Sequence, residues 1–378
     1  MPRVVVCGAL ANKVGNGGAT WTRLSWLFGF RQLGCEVYFI EQLADGSGID
    51  RPAAVAYFHR TIERFGLGGA AALIDANGTW SEGANFNELL SVAQNADLLV
   101  NITGHLTYAR LFERFRRKVY VDLDPGFTQI WYADGTSAMH LDGHDAFFTV
   151  GENIGTPECS IPTGGIPWRP IRQPIVLDQW PMAPVEAPDR FTTIASWRGP
   201  YAPIQFQGQQ LGLKVHEFRK FISVPELAPA SFELALDIHP SEVADLSLLE
   251  QHGWQVVDPR SAAGDTHLFR CYVQRSGAEF SAAQGVYVHT RSGWFSDRTV
   301  RYLASGKPAV VQDTGLTKNY PTGCGLLAFS SIDEAVRGVE NVMRDYATHS
   351  RAARSLAEEY FAADKVLGRM LSELGIES

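Results

Sequence analysis

Residues 290–315 read TRSGWFSDRTVRYLASGKPAVVQDTG, in the order loop, helix, strand, loop. Ser296 or Asp297 can cap the helix, because a short side-chain oxygen accepts from the free N–H groups of a first helical turn. Val300, Leu303 and Ala304 give the helix one apolar side. Gly306 suits the left-handed position just past a helix end, and Pro308 forbids continuation. Ala309, Val310 and Val311 then make a short buried strand, with Gln312, Asp313, Thr314 and Gly315 as the loop at its carboxyl end. This order sets a helix N-terminus beside a strand's carboxyl edge, where free N–H groups and the helix dipole favour a phosphate. An ordinary, well-capped α/β unit looks the same in isolation.

The start of the chain repeats the pattern. Residues 4–7 are a short apolar run of the kind buried on both faces of a parallel sheet. A loop with Gly15, Gly17 and Gly18 follows, then a helix over 20–31 with Trp21, Leu24, Leu27 and Phe28 on one face. Residues 36–41 form the second strand of this right-handed βαβ unit. The glycines do not fit G-x-G-x-x-G, which argues against a dinucleotide fingerprint, but glycine lets a backbone close over a ligand. Helices are predicted over 50–65, 85–94 and 107–117, and strands over 72–75, 97–101, 118–122 and 146–150. Three of these strands lead to His105, Asp124 and Glu152, at the edge where open parallel sheets hold ligands. Such residues are also ordinary turn formers.

Residues 162–188 are rich in proline and read as a linker. Beyond them a second array begins: strands over 191–195, 232–236, 254–257 and 285–289, and helices over 215–222 and 243–252. Residues 266–274 fit neither period cleanly. Helices over 332–346 and 350–374 close the chain. The division is 1–180, 181–345 and a C-terminal helix, 346–378, expected to pack back on the first domain.

A chain of 378 residues suits two domains. Hydrophobic residues at 45% and charged residues at 20% exclude a disordered chain. The net charge of −8 argues against a nucleic-acid binder while leaving room for a local basic pocket. Cys7, Cys35, Cys159, Cys271 and Cys324 form no metal-like cluster, and no metal is expected. Scattered thiols of odd number, a strand at the N-terminus instead of a signal peptide, and no apolar run of about 18 residues point to the cytoplasm.

Taken together, the order of elements across the chain resembles the nucleotide-sugar-dependent glycosyltransferases called GT-B: α/β, two Rossmann-like doubly wound domains facing a cleft, with a C-terminal helix pair. Residues 296–315 are the most specific piece, similar to the helix, small-residue–Gly–x–Pro step and strand of that superfamily's donor site. The nearest group is the retaining family-4-like one. Its spaced pair of glutamates is replaced here by about Gly293 and Arg301.

The resemblance implies metal-independent sugar transfer from a nucleoside diphosphate sugar, a co-substrate and not a cofactor, to a small-molecule or glycan acceptor. It implies donor contacts from Gly17, Gly18, Arg198, Lys214, Ser296, Asp297, Arg298, Asp313, Thr314 and Gly315. His105 and Asp124 are the candidate catalytic pair: in an inverting transfer either can take the acceptor proton, and in a retaining one His105 instead hydrogen-bonds the donor sugar. Trp21, Phe127 and Trp131 are candidates for an apolar acceptor pocket, whereas Trp26 suits the core. Three rival readings are a nucleotide-sugar epimerase, a non-catalytic two-lobe binding protein and an NAD-dependent oxidoreductase.

Overall fold

A computed structural model describes residues 1–44, 48–135, 139–199 and 201–377. The first sheet contains β1 (Arg3–Cys7), β2 (Glu36–Gln42), β3 (Ala71–Ile74), β4 (Ser81–Glu82), β5 (Leu98–Ile102), β6 (Lys118–Asp122), β7 (Ala146–Thr149) and β8 (Trp168–Pro170). Their order is β4-β3-β2-β1-β5-β6-β7-β8, parallel throughout except for β3 against β4. Val4 and Val6 join the core on one face and Val5 and Cys7 the core on the other, so the strand is apolar without alternation.

The second array supplies β9 (Arg190–Ser196), a hairpin of β10 (Ile204–Phe206) and β11 (Gln209–Leu211), then β12 (Ser231–Asp237), β13 (Trp254–Val257), β14 (Ala278–Ser281), β15 (Ala309–Gln312) and β16 (Leu326–Phe329). Its main sheet runs β13-β12-β9-β14-β15-β16, all parallel. In each sheet the winding reverses at the first strand, β1 or β9, which opens a crevice at the carboxyl edge.

The helix expected after residue 296 spans Asp297–Ala304, and β15 follows it. Four other expectations are corrected. Residues 285–289 are a helical turn, Gly285–His289, and not a strand. The true strand, β14, lies earlier and carries Glu279, which is fully buried because Arg298 pairs with it. The helix expected over 107–117 is one turn, Ala109–Phe112, and Phe127–Ala133 is a further helix. The supposed linker contains β8. The last helix is broken: Tyr346–Leu356 passes through a π-helical turn, Ala357–Phe361, into Ala363–Glu373. The break is tied to the linker, where Ile175 N–H donates to Phe361 O (2.8 Å) and Ala363 N–H to Ile175 O (2.9 Å). The final helix packs on the helix Gly17–Gln32 of the first domain.

The two domains touch directly. Trp21 Nε1 donates to Thr266 O (2.8 Å), Thr22 Oγ1 to Asp297 Oδ2 (2.6 Å), and Asn153 Nδ2 to Arg291 O (3.0 Å) and Gly315 O (3.1 Å). Among the described residues no helix is long and apolar enough to cross a membrane.

Candidate active site

A cleft of about 820 Å³ opens between the sheets' carboxyl edges and is lined by both domains. On the rear side Ser296, Asp297 and Arg298 begin the helix Asp297–Ala304, and no side chain caps it. Its free N–H groups therefore remain available to donate to a ligand. Arg298 is held rigid: Nε donates to Glu279 (2.7 Å), one terminal nitrogen to Ile194 O (2.8 Å) and the other to Ser281 Oγ (2.5 Å). Lys214 lines the same wall and donates to Ala282 O (2.6 Å). Burial, then the Arg298 charge, pushes its pKa down to about 7 against the pull of Glu279. Arg198 stands exposed at the rim, paired with Glu242.

The front wall is organised by two buried carboxylates. Glu41, fully buried, accepts the N–H groups of Leu10 (2.7 Å), Ala11 (2.8 Å) and Asn12 (2.9 Å), which shapes the loop after β1. Asp122 accepts from Thr128 (2.7 Å), Gln129 (2.8 Å), Thr149 (2.7 Å) and the N–H of Asp124 (3.0 Å). That set fixes the turn that delivers Asp124 into the cleft. Burial raises the Asp124 carboxyl above its ordinary range, with Lys13 and Arg23 pulling it back.

His105 also lines the cleft. The amide of Asn12 has a settled orientation: Oδ1 accepts from Ala44 N–H (2.8 Å), and Nδ2 donates to Glu41 (2.8 Å) and Gln42 O (2.9 Å). Nδ2 lies 3.2 Å from His105 Nε2. A proton on Nε2 would point at the amide hydrogens, so the ring carries its proton on Nδ1. Burial, then Arg23, Lys13 and His140, pushes the ring's pKa down to about 3. His105 is therefore a neutral donor. Its Nε2 faces the Asn12 amide.

Phe127 and Trp131 line the front wall and form an aromatic group with Tyr201, a residue of the rear domain, at centroid distances of 4.7 and 5.0 Å from Tyr201. Trp21 does not join them. It is 2% exposed, packed edge-on against Trp180 and bonded to Thr266, so it is part of the domain interface. Gly17 is likewise an interface residue: a Cβ there would run into the carbonyl of Asp265. Gly18, by contrast, faces the cleft. Asp313, Thr314 and Gly315 are not cleft residues. Asp313 accepts from Gly315 N–H (2.9 Å), Thr314 Oγ1 donates to Trp294 O (2.6 Å), and Gly315 accepts from Asn153. They form a turn that joins the domains behind the cleft. Glu152 belongs to a separate cluster with Arg172 and Tyr320.

No family model matches this sequence, and no curated protein matches it. Solved structures do match in shape. An α-glucosyltransferase in complex with UDP aligns with a TM-score of 0.63 at 11% identity, over 99% of this chain and 100% of that one. Sucrose-phosphate synthase from Thermosynechococcus elongatus gives 0.56 at 11%, over 99% of each chain. Anabaena HepE in complex with UDP gives 0.56 at 12%, over 99% of this chain and 100% of that one. The fold is GT-B.

Within this GT-B frame the two missing glutamates have a structural reason. Gly293 has φ +73°, and a Cβ there would lie 2.8 Å from the Asn153 side chain, so no side chain fits. Arg301 is 2% exposed and pairs with Asp297 (3.0 Å). Despite burial, which works upward, Arg301 and then the Thr22 hydroxyl hold the Asp297 carboxyl below its ordinary range. Sequence reasoning missed Asn12, Lys13, Arg23, Tyr201 and Tyr287, all within or behind the cleft. For Asn12 and Lys13 a signal existed, since both stand in the glycine-rich loop already suspected of covering a ligand. Among the described residues no three His, Cys, Asp or Glu side chains are grouped to hold a metal.

Proposed function

We propose that this chain is a glycosyltransferase that moves a sugar from a nucleoside diphosphate sugar to a small-molecule or glycan acceptor, in the cytoplasm and without a metal or resident cofactor. The observation that carries the reading is the uncapped helix N-terminus at Ser296–Asp297, opening into a two-domain cleft beside Arg298 and Lys214. As the bond from the sugar's anomeric carbon to the diphosphate oxygen breaks, negative charge gathers on the leaving diphosphate. Helix amides and fixed cations stabilise that charge with no reorganisation. Arg298 suits this role because three of its five N–H groups are committed to the protein and two remain. Asp124, desolvated and thus more basic, receives the acceptor proton. The Nδ1–H of His105 orients a hydroxyl, and the Phe127–Trp131–Tyr201 group takes an apolar ring face.

UDP is the first nucleotide to test, since two of the structural neighbours were solved with it. Other structures of the α-glucosyltransferase carry DNA, but the net charge of −8 favours a small acceptor for this chain. Thermal unfolding with UDP, GDP, dTDP and NAD is the test. One nucleoside diphosphate at a hundredfold its Kd should stabilise by about 2.7 kcal/mol, and Arg298→Ala should abolish the shift. A response to NAD alone would overturn the assignment.

A further inference from the structure

Arg23 is 5% exposed, yet among the described residues its Nε has no hydrogen-bond partner and its only bond is a long one from a terminal nitrogen to Ala19 O (3.3 Å). Among the described residues no carboxylate pairs with it. The other cleft arginines differ: Arg298 is paired with Glu279, Arg198 with Glu242, and Arg260 is exposed to water. Withdrawing a cation from water without a partner is costly, and proteins ordinarily avoid it. Its place explains why the cost is borne. Arg23 follows Thr22, whose hydroxyl bonds Asp297 at the start of the rear helix, and it lines the cleft together with Lys13. Asp297, Glu41 and Asp124 act on its charge from farther off.

We propose that Arg23, with Lys13, is an anion receptor of the front domain, built for a phosphate-class oxyanion lying across the cleft from the helix Asp297–Ala304. The anion's source is the donor's diphosphate or a phosphate on the acceptor. The proposal rests on the glycosyltransferase reading for the choice of nucleotide, but its physical content does not. A planar guanidinium with free N–H groups matches two phosphate oxygens at once, whereas lysine offers a point charge.

The test is calorimetric titration of wild type, Arg23→Gln and Arg23→Lys with inorganic pyrophosphate, UDP and uridine, alongside thermal unfolding of each free protein. For a donor diphosphate, Arg23→Gln weakens pyrophosphate and UDP at least tenfold, leaves uridine unchanged, and Arg23→Lys falls between. Loss of pyrophosphate binding with UDP unchanged supports the site and assigns it to the acceptor. In either case the free Arg23→Gln protein melts higher, by about 2 °C or more, because an uncompensated charge is gone. Unchanged pyrophosphate affinity, or no pyrophosphate binding by wild type, overturns the receptor. Wild type that binds pyrophosphate but no nucleoside diphosphate overturns the glycosyltransferase reading alone.

Discussion

In the proposed donor site Lys214 should couple binding to pH. Its ammonium lies in the cleft wall beside Arg298, and burial lowers its pKa to about 7. A bound diphosphate supplies the counter-charge that the free site lacks, which returns the lysine toward its ordinary value near 10.4. The bound form then holds a proton that the free form has lost, so binding takes up a proton across the window from pH 7 to 10. Free Lys214 is about half protonated at pH 7 and about one hundredth protonated at pH 9, so affinity falls about fiftyfold, or ~2.3 kcal/mol. The nucleotide itself is fully ionised in this range, since a terminal phosphate titrates near 6. Calorimetry at pH 8 in buffers of different ionisation enthalpy should report uptake of about 0.9 proton by this linkage. Lys214→Arg keeps its charge at every pH and should bind with a flat profile. Proton uptake near zero at pH 8, with affinity unchanged from pH 7 to 9, would refute the reasoning.

Three further outcomes follow from the same geometry. Because Asn12 fixes the neutral Nδ1–H form of His105, nitrogen NMR should show that single tautomer from pH 5 to 8, and kcat/KM should lack an inflection near 6.5; Asn12→Ala should bring in the second tautomer. Trp131→Ala should raise the acceptor KM about tenfold through lost ring contact, with UDP affinity unchanged; a change in the opposite pair would move the acceptor elsewhere. Gly17→Ala forces a methyl into the Asp265 carbonyl and should cost about 1–3 kcal/mol, read as a lower Tm by scanning calorimetry; an unshifted Tm would mean the domains slide apart freely.

Local chemistry announced much of the fold. The helix and Gly-x-Pro step of residues 296–311 and the apolar runs of β1 and β5 form as their neighbours in sequence require, although the side-chain cap expected from Ser296 or Asp297 is not made. What stayed hidden depends on partners far along the chain. β14 includes Glu279, a poor strand residue until Arg298, 19 positions on, neutralises it. Residues 285–289, GVYVH, hold two β-branched valines about a tyrosine, and a short run of that kind suits either a strand or a buried helix. Trp21 looked like pocket lining because its indole N–H finds an acceptor only in the second domain. Arg23 is buried beside Gly8 and Ala19 of its own domain, and a charged residue within an apolar helix gives periodicity no sign of that burial. Asn12 acquires its role only when Glu41, 29 residues away, folds the loop under His105.

The charges of the cleft form a graded set. Arg298 is neutralised by Glu279 and held as a rigid fork, Lys214 keeps its proton only below about pH 7 or with an anion at hand, and Arg23 has no carboxylate pair among the described residues. The chain as a whole carries −8, whereas the cleft lining has more lysines and arginines (Lys13, Arg23, Arg198, Lys214, Arg260 and Arg298) than acidic residues (Asp124, Asp237 and Asp297). A low-dielectric wall on each side strengthens that local field, while salt screens the negative exterior over about 8 Å. A long polyanion meets the exterior before the pocket and is repelled. A small phosphorylated molecule enters within the screening length and feels mainly the cleft. On the proposed reading, raising the ionic strength should weaken UDP binding while leaving uridine binding nearly unchanged.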